Sequence, residues 1–135
     1  MSVAVIDSSA YVDTIADPHG RGRRVLDSLG DFEDWWAPEI FDAEVAHGLR
    51  NQLLRGLIEQ PEFNRQMRML AEIAIGRVPV SPLLGRVAAL SGSLTAYDAA
   101  FVAVAELLNA PLLTTDARLA RAPGPRCEFL LVEGN

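Results

Sequence analysis

Short apolar runs alternate along the chain with longer segments in which apolar residues recur every three or four positions. The short runs predict buried strands, and the longer segments predict amphipathic helices. The predicted strands are residues 3–6, 35–37, 77–80, 112–114 and 128–132. The predicted helices are residues 8–15, 21–29, 39–57, 61–75, 82–92 and 95–108, followed by a short helix after residue 116.

This order of elements is typical of an α/β fold. Short apolar strands that alternate with amphipathic helices indicate a parallel sheet covered on both faces. We therefore expect a three-layer α/β/α sandwich with a central parallel sheet of about five strands. No repeat, low-complexity segment or linker interrupts the pattern, so residues 1–135 are expected to form a single domain.

The composition is that of an ordinary globular protein. Half of the 135 residues are hydrophobic and 22% are charged. No apolar run approaches the ~18 residues of a membrane span, and the first residues lack a basic region typical of a signal peptide. We therefore expect a cytoplasmic protein without a membrane partner. Cys127 is the only cysteine, which excludes a disulfide framework and predicts a small buried side chain.

The net charge is −6, and every basic residue is arginine. An acidic chain is a poor non-specific ligand for polyanions, because phosphate contacts depend on Lys and Arg. Arginine nevertheless binds phosphate through a planar, bidentate fork. The absence of lysine is equally well explained by the codon usage of a GC-rich genome.

Three acids are predicted at one edge of the sheet. Asp7 directly follows the first strand, Asp116 follows the fourth, and Asp98 lies in the first turn of the helix that begins near Thr95. In open parallel sheets, ligands bind outside the carboxyl ends of the strands. We therefore expect Asp7, Asp98 and Asp116 to converge.

Helix capping is the structural alternative for each acid taken singly. Asp7 and Asp116 are placed to cap the helices that follow them, and Thr95 with Asp98 resembles a capping box. Capping, however, does not require three acids to meet at one edge. Glu44 is a fourth candidate, although an acid on a helix is usually solvated. Asp42, two residues away, must point elsewhere, so at most one of the two can join the site.

At four places the chain resembles the motifs of PIN-domain ribonucleases of the VapC toxin type. The matching segments are Asp7-Ser8-Ser9-Ala10, Glu44-Val45 with Leu49-Arg50, the run from Tyr97 to Glu106, and the run from Leu112 to Arg121. The last two are specific, and the match spans nearly the whole chain in the right order.

The resemblance implies a metal-dependent endoribonuclease that forms half of a toxin–antitoxin pair. The acidic positions of the family fall on Asp7, Glu44, Asp98 and Asp116. Thr114 takes the place of a supporting hydroxyl residue, and Ser8 lies beside the first acid. Some members carry a further acid where this chain has Ala117 and Arg118, which puts a fully occupied second metal site in doubt. The pair His47-Gly48 has no assignment.

The chemistry expected of such a site follows from its carboxylates. Like charges ~4 Å apart repel by several kcal/mol at intermediate dielectric, so either some of the acids stay protonated or a cation fills the site. Hard oxygen ligands suit Mg²⁺ or Mn²⁺, with Asp7 and Asp98 as direct ligands and the other two acids bound through water or a second ion. In-line hydrolysis of an RNA phosphodiester bond is expected to leave 5′-phosphate and 3′-hydroxyl ends. Arg118 and Arg121 are candidates to hold flanking phosphates, against the simpler view that they are solvated helix charges.

The resemblance also implies partners: an RNA substrate, a VapB-like antitoxin and a second copy of the chain in a homodimer. Exposed apolar residues on the helices of residues 39–75 are the candidate antitoxin surface. The class of RNA that is cut does not follow from the residues.

Other functions fit the sequence less well. A metal-free ribonuclease needs histidine as acid and base, but His19 lies in a predicted turn and His47 is placed to pair locally with Glu44. A haloacid-dehalogenase-like phosphatase needs a second Asp at the position of Ser9. The Gly20 and Gly22 pair lacks the context of a dinucleotide site. The remaining alternative is a catalytically silent PIN-like module that binds RNA or protein.

Overall fold

The computed structural model describes residues 2–134. The strands are β1 (Val3–Ile6), β2 (Asp34–Pro38), β3 (Gly76–Val78), β4 (Leu112–Thr114) and β5 (Phe129–Leu131). The α-helices are α1 (Ser8–Ala16), α2 (Arg21–Leu29), α3 (Phe41–Leu54), α4 (Gln60–Glu72), α5 (Leu84–Ala89), α6 (Ala96–Leu108) and α7 (Ala117–Ala120), with a 3₁₀ turn at Ser81–Leu83.

The five strands form one parallel sheet in the order β3-β2-β1-β4-β5. The chain winds outward from β1 to β3, crosses back to β4 and continues to β5. Because crossovers between parallel strands are right-handed, this reversal places the first helices on one face and the later helices on the other. The predicted α/β/α architecture is therefore confirmed.

The reversal of winding lies between β1 and β4, which are neighbours in the sheet. Such a switch point opens a crevice at the carboxyl ends of the two strands, where ligands of α/β proteins bind. The N–H of Asp7 donates to the carbonyl of Leu113 at 2.9 Å, so the end of β1 is held against the end of β4.

The core lies on both faces of this sheet. Every residue of α6 from Ala99 to Ala105 is buried, because this helix packs over β1, β2 and β4. On the α1 side, Tyr11 and Phe41 meet edge to face, with ring centroids 5.5 Å apart. Such pairs add to the stabilisation from burial alone. The first turns of α1 and α6, which carry candidate site residues, are thus anchored to a rigid sheet.

Several predicted boundaries were wrong by a few residues. The helix predicted to end at residue 57 ends at Leu54, because Gly56 adopts a positive φ of 73° that turns the chain. The third strand ends at Val78, just before Pro79, which has no N–H to donate to a ladder. The helix predicted from residue 82 to residue 92 is a 3₁₀ turn that contains Pro82, followed by α5, which ends at Ala89.

Two further expectations concern single side chains. Asp42 does point elsewhere, because it pairs with Arg77 through Nη2–Oδ1 and Nε–Oδ2 contacts of 2.8 and 3.2 Å. Cys127 is only partly buried, and this burial raises the pKa of its thiol to about 11.

Between residues 2 and 134, no helix combines the length and the apolar character needed to cross a bilayer.

Candidate active site

Asp7 follows β1 and is buried, with 7% of its surface exposed. Its Oδ2 accepts hydrogen bonds from the hydroxyls of Thr114 at 2.7 Å and Ser9 at 3.0 Å. Although Asp7 occupies the N-cap position of α1, its side chain caps no backbone N–H. The capping alternative is therefore wrong for this residue, whose carboxylate is held by two side chains instead.

The surroundings of Asp7 oppose its ionisation. The pKa of Asp7 is raised to about 6, chiefly by burial; the hydrogen bonds from Thr114 and Ser9 oppose this rise, and the charges of Asp98 and Glu44 add to it. Burial dominates because a carboxylate loses its hydration there. A cation bound beside Asp7 would favour the charged form of its carboxylate.

Glu44 lies in the first turn of α3 and faces the same place. The hydroxyl of Ser8 donates to Glu44 Oε1 at 2.8 Å, across 36 positions of the sequence. Burial raises the pKa of Glu44, and the charge of Asp98 adds to this effect. Glu44 is therefore not a solvated helix charge.

Asp98 lies in the first turn of α6. Its backbone N–H donates to Thr95 Oγ1 at 3.1 Å, so Thr95 caps this helix as predicted. The carboxylate of Asp98 has a raised pKa because of burial and the charge of Asp116, which the nearby Arg118 partly offsets. A side-chain hydrogen bond from Thr95 acts in the opposite direction and lowers the pKa of Asp98.

Asp116 has two kinds of contact. Its Oδ1 accepts from the N–H groups of Arg118 at 2.9 Å and Leu119 at 3.2 Å, so the predicted cap of the short helix is confirmed. Its own N–H donates to the hydroxyl of Thr114 at 3.1 Å. Thr114 is fully buried and thus links Asp116 with Asp7.

The structure brings all of the predicted acids to one cleft of about 830 Å³. These predicted acids are Asp7, Glu44, Asp98 and Asp116. Asp13 also lines the cleft, but its carboxylate is paired with Arg21 at 2.8 Å. This volume is in the upper part of the range found for ligand pockets, which exceeds what a hydrated metal ion alone needs. The cleft therefore has room for part of a larger ligand beside the acids.

The donor set fits a hard divalent cation. The acids supply only oxygen ligands, and the buried carboxylate of Asp7 has only hydroxyl partners within residues 2–134. In that described part, no three His, Cys, Asp or Glu side chains are close enough to enclose an ion by themselves. Mg²⁺ keeps several waters and takes one or two carboxylates, so it can bind oxygen ligands such as these without a closed cage of side chains.

Arg118 and Arg121 lie on the other side of Asp98. They line a second cleft of about 730 Å³ that shares Asp98 with the first. Arg121 is also 3.7 Å from Glu133, between Nη2 and Oε1, and both side chains are largely exposed.

Sequence reasoning missed other residues near the acids. Ser9 donates to Asp7, and its place two residues later on a predicted helix gave no sign of this. His47 lines the first cleft and forms no hydrogen bond or ion pair with Glu44 within the described residues, so the predicted local pair is wrong. Asn51, Gln52 and Arg55 also line the cleft; their helical spacing from Glu44 was the available signal.

Known proteins share both the sequence and the fold. Residues 4–125 match the PIN domain family. Ribonuclease VapC1 of Mycobacterium tuberculosis is 38% identical over 98% of this chain and 99% of its own length. Ribonuclease VapC9 of the same organism is 31% identical over 95% of this chain and 97% of its own length.

Solved structures agree in fold at lower sequence identity. A toxin–antitoxin complex from Klebsiella pneumoniae aligns with a TM-score of 0.70 and 19% identity, over 98% of this chain and 99% of that chain. VapBC2 from Rickettsia felis, bound to a DNA fragment of its promoter, aligns with a TM-score of 0.67 and 13% identity over the same shares. The chain belongs to the PIN domain family, within its VapC group.

Proposed function

We propose that this protein is a VapC-like toxin, an endoribonuclease that hydrolyses RNA phosphodiester bonds to 5′-phosphate and 3′-hydroxyl ends. The observation that carries the proposal is the convergence of four acids from separate elements on one cleft. Its relatives VapC1 and VapC9, which align over nearly their whole lengths, are ribonucleases by name.

We further propose that the enzyme uses Mg²⁺ or Mn²⁺. Asp7 and Asp98 would hold the ion directly, and Glu44 and Asp116 through water or a second ion. When bound, such an ion supplies an activated water and neutralises charge on the phosphate. Because one oxygen of Asp116 already caps α7, its other oxygen is the one free to bind.

The protein's own residues orient this set. Thr114 and Ser9 hold Asp7 Oδ2, so that its other oxygen is left for the ligand. Ser8 holds Glu44 across the gap between α1 and α3. Arg118 lies near Asp98 at the start of the second cleft, where its guanidinium can hold a flanking phosphate, and Arg121 lies further along. The burial of Asp7 lowers the local dielectric and strengthens each of these contacts.

The proposed partner is a VapB-like antitoxin, since proteins of similar fold occur in toxin–antitoxin complexes. Leu54, Leu57 and Met69 are exposed on and beside α3 and α4, and this apolar surface is its proposed seat. Changing Leu54 and Leu57 to glutamate should weaken the complex with the antitoxin without loss of RNA cleavage; an undiminished affinity contradicts this assignment.

We also propose a homodimer, which light scattering of the purified chain tests directly.

The function is tested by incubating the antitoxin-free protein with a mixed RNA pool and Mg²⁺, Mn²⁺ or EDTA. The expected result is metal-dependent cleavage with 5′-phosphate ends, absent in Asp98→Asn and retained in Asp31→Asn, an exposed control. EDTA-resistant cuts with cyclic phosphate ends would indicate the histidine route. RNA binding without cleavage in every metal would favour the silent PIN-like module.

A further inference from the structure

Beyond Glu44, one side of α3 carries further polar residues. His47, Asn51, Gln52 and Arg55 line the same cleft as Glu44 and follow it at helical spacing. Residues three and four apart lie on one side of a helix, so these side chains form a continuous row. We call these four residues the α3 polar row.

Among the described residues, the α3 polar row has no polar side-chain partner. Within residues 2–134, none of its side chains forms a hydrogen bond or an ion pair, and His47, Asn51 and Arg55 are exposed. Polar side chains close by behave differently, since Arg77 holds Asp42 and Gln60 donates to Asn64. The donors and acceptors of the row are therefore available to a ligand in the cleft.

Gly48 lies beside this row, where α3 approaches α1. A Cβ atom at Gly48 would lie 2.8 Å from Val12 Cγ2, closer than real Cβ atoms approach. Only glycine therefore lets α3 come this close to α1. Where the two helices approach, Ser8 donates to Glu44, and the α3 polar row lines the same cleft.

The length and chemistry of the row fit an RNA strand. From Glu44 to Arg55 the helix rises ~16 Å, which corresponds to about five stacked nucleotides at ~3.4 Å each. Side-chain amides, as in Asn51 and Gln52, carry a donor and an acceptor that match base edges. A guanidinium at the far end suits a phosphate, and the acids at the near end leave the scissile phosphate to the metal.

We propose that the α3 polar row is a nucleotide-reading subsite for the RNA on one side of the scissile phosphate. Asn51 and Gln52 read base edges, His47 stacks on a base, and Arg55 holds a flanking phosphate. The inference rests on the proposed ribonuclease function. It adds that base preference on this side of the cut is set by α3.

The test uses a single-stranded RNA pool with randomised sequence, cut by the full chain in Mg²⁺ or Mn²⁺, with the cut sites sequenced. The double variant Asn51→Ala with Gln52→Ala should reduce the preference at one flanking position by about tenfold. Arg55→Ala should raise KM for all sequences and reduce the salt dependence of KM by about one phosphate contact. Circular dichroism confirms that each variant is folded.

Two matched controls belong to the experiment. Arg50→Ala removes an exposed arginine of the same helix that does not line the cleft, and Asn64→Ala removes an exposed amide on α4. Both should leave preference and KM unchanged. A wild type that cleaves, with variants that keep its preference and KM, overturns the inference but not the ribonuclease function. An equal loss of kcat for all sequences, or a loss of antitoxin affinity alone, also overturns the inference and leaves the ribonuclease function standing. A wild type that cuts no RNA in any metal overturns the function itself.

Discussion

The hydroxyl of Thr114 donates to Asp7 Oδ2 at 2.7 Å, although the two residues are 107 positions apart in the chain. Thr114 is fully buried and also accepts the N–H of Asp116, so its single hydroxyl joins two of the acids. Thr114→Val replaces this hydroxyl by a methyl group at nearly constant volume. We expect a loss of cleavage of about 10- to 100-fold, the usual effect of removing a partner of a metal ligand.

Thr114→Ser is the matched control, because it keeps the hydroxyl and loses only a methyl group. Its kcat should stay close to that of the wild type. Steady-state cleavage of one defined RNA measures both variants. If Thr114→Val and Thr114→Ser lose cleavage activity equally, the loss is caused by altered packing and not by the missing hydrogen bond.

Ser8 supports the acid on α3 in the same way. Its hydroxyl is the side-chain partner of Glu44 Oε1 at 2.8 Å. Ser8→Ala should free Glu44 and lower kcat by about tenfold, less than a Glu44→Gln change if Glu44 takes part directly. Ser91→Ala, at an exposed position, is the control. An unchanged kcat in Ser8→Ala would show that the orientation of Glu44 does not limit cleavage.

The raised pKa of Asp7 predicts how stability depends on pH without metal. Its pKa is about 6 in the folded protein against an ordinary 3.8, so the folded state binds this proton more tightly than the unfolded state. The tighter binding of this proton stabilises the folded state fully below pH 4, and the stabilisation is lost as the pH rises through 6. The difference of about two units between the folded and the ordinary pKa corresponds to about 3 kcal/mol of unfolding free energy. Asp7→Asn should therefore be more stable than the wild type in EDTA at pH 7.5, with the difference shrinking toward pH 4.5.

Urea unfolding in EDTA across this pH range gives the difference directly. Addition of Mg²⁺ should stabilise the wild type and not Asp7→Asn, because a ligand of the folded state shifts unfolding by mass action. A difference that is constant with pH would contradict the raised pKa. An equal effect of Mg²⁺ on both proteins would contradict a role of Asp7 in metal binding.

The approach of α1 and α3 can be tested at Gly48. Gly48→Ala places a methyl group 2.8 Å from Val12 Cγ2, and β-branched valine has little rotamer freedom with which to avoid it. Overpacking of this kind costs about 1–3 kcal/mol, which exceeds the gain in helix propensity from glycine to alanine. We expect a lower unfolding free energy together with weaker cleavage.

Val12→Ala supplies the rescue. In the double variant the small side chain at position 12 should make room for the new methyl group and restore cleavage more than stability. Thermal melting and kcat of the four proteins complete a double-mutant cycle. Additive effects of the two substitutions would show that the contact between α1 and α3 is not what Gly48 protects.

Much of the site was predictable because parallel strands end at one edge of a sheet. Asp7 directly follows β1, and Asp116 lies two residues after the end of β4, so their proximity depends mainly on strand order. Glu44 was different: its contact with Ser8 depends on the packing of α1 against α3, which the apolar pattern does not encode. Local chemistry also misled at Asp7, where the hydroxyls of Thr114 and Ser9 compete successfully with the backbone for the carboxylate.

The boundaries failed for a related reason. Apolar periodicity continues past Leu54 to Leu57, but the left-handed backbone at Gly56 ends the helix there. The segment with Pro79 and Pro82 contains too few periodic residues to separate a 3₁₀ turn from the short α5. In the first place the added backbone freedom of glycine overrides the apolar pattern, and in the second the restricted backbone of proline does so.

The central position of β1 has a consequence during synthesis. β1 pairs with β2 on one side, but its other neighbour, β4, begins at residue 112. A growing chain that has reached α6 therefore contains Asp7, Glu44 and Asp98 but lacks Thr114 and Asp116. The ribosome must deliver most of the polypeptide before the cleft closes around its acids. The entropic cost of closing so long a loop is met only late in synthesis, so a partly made chain lacks the complete set of acids.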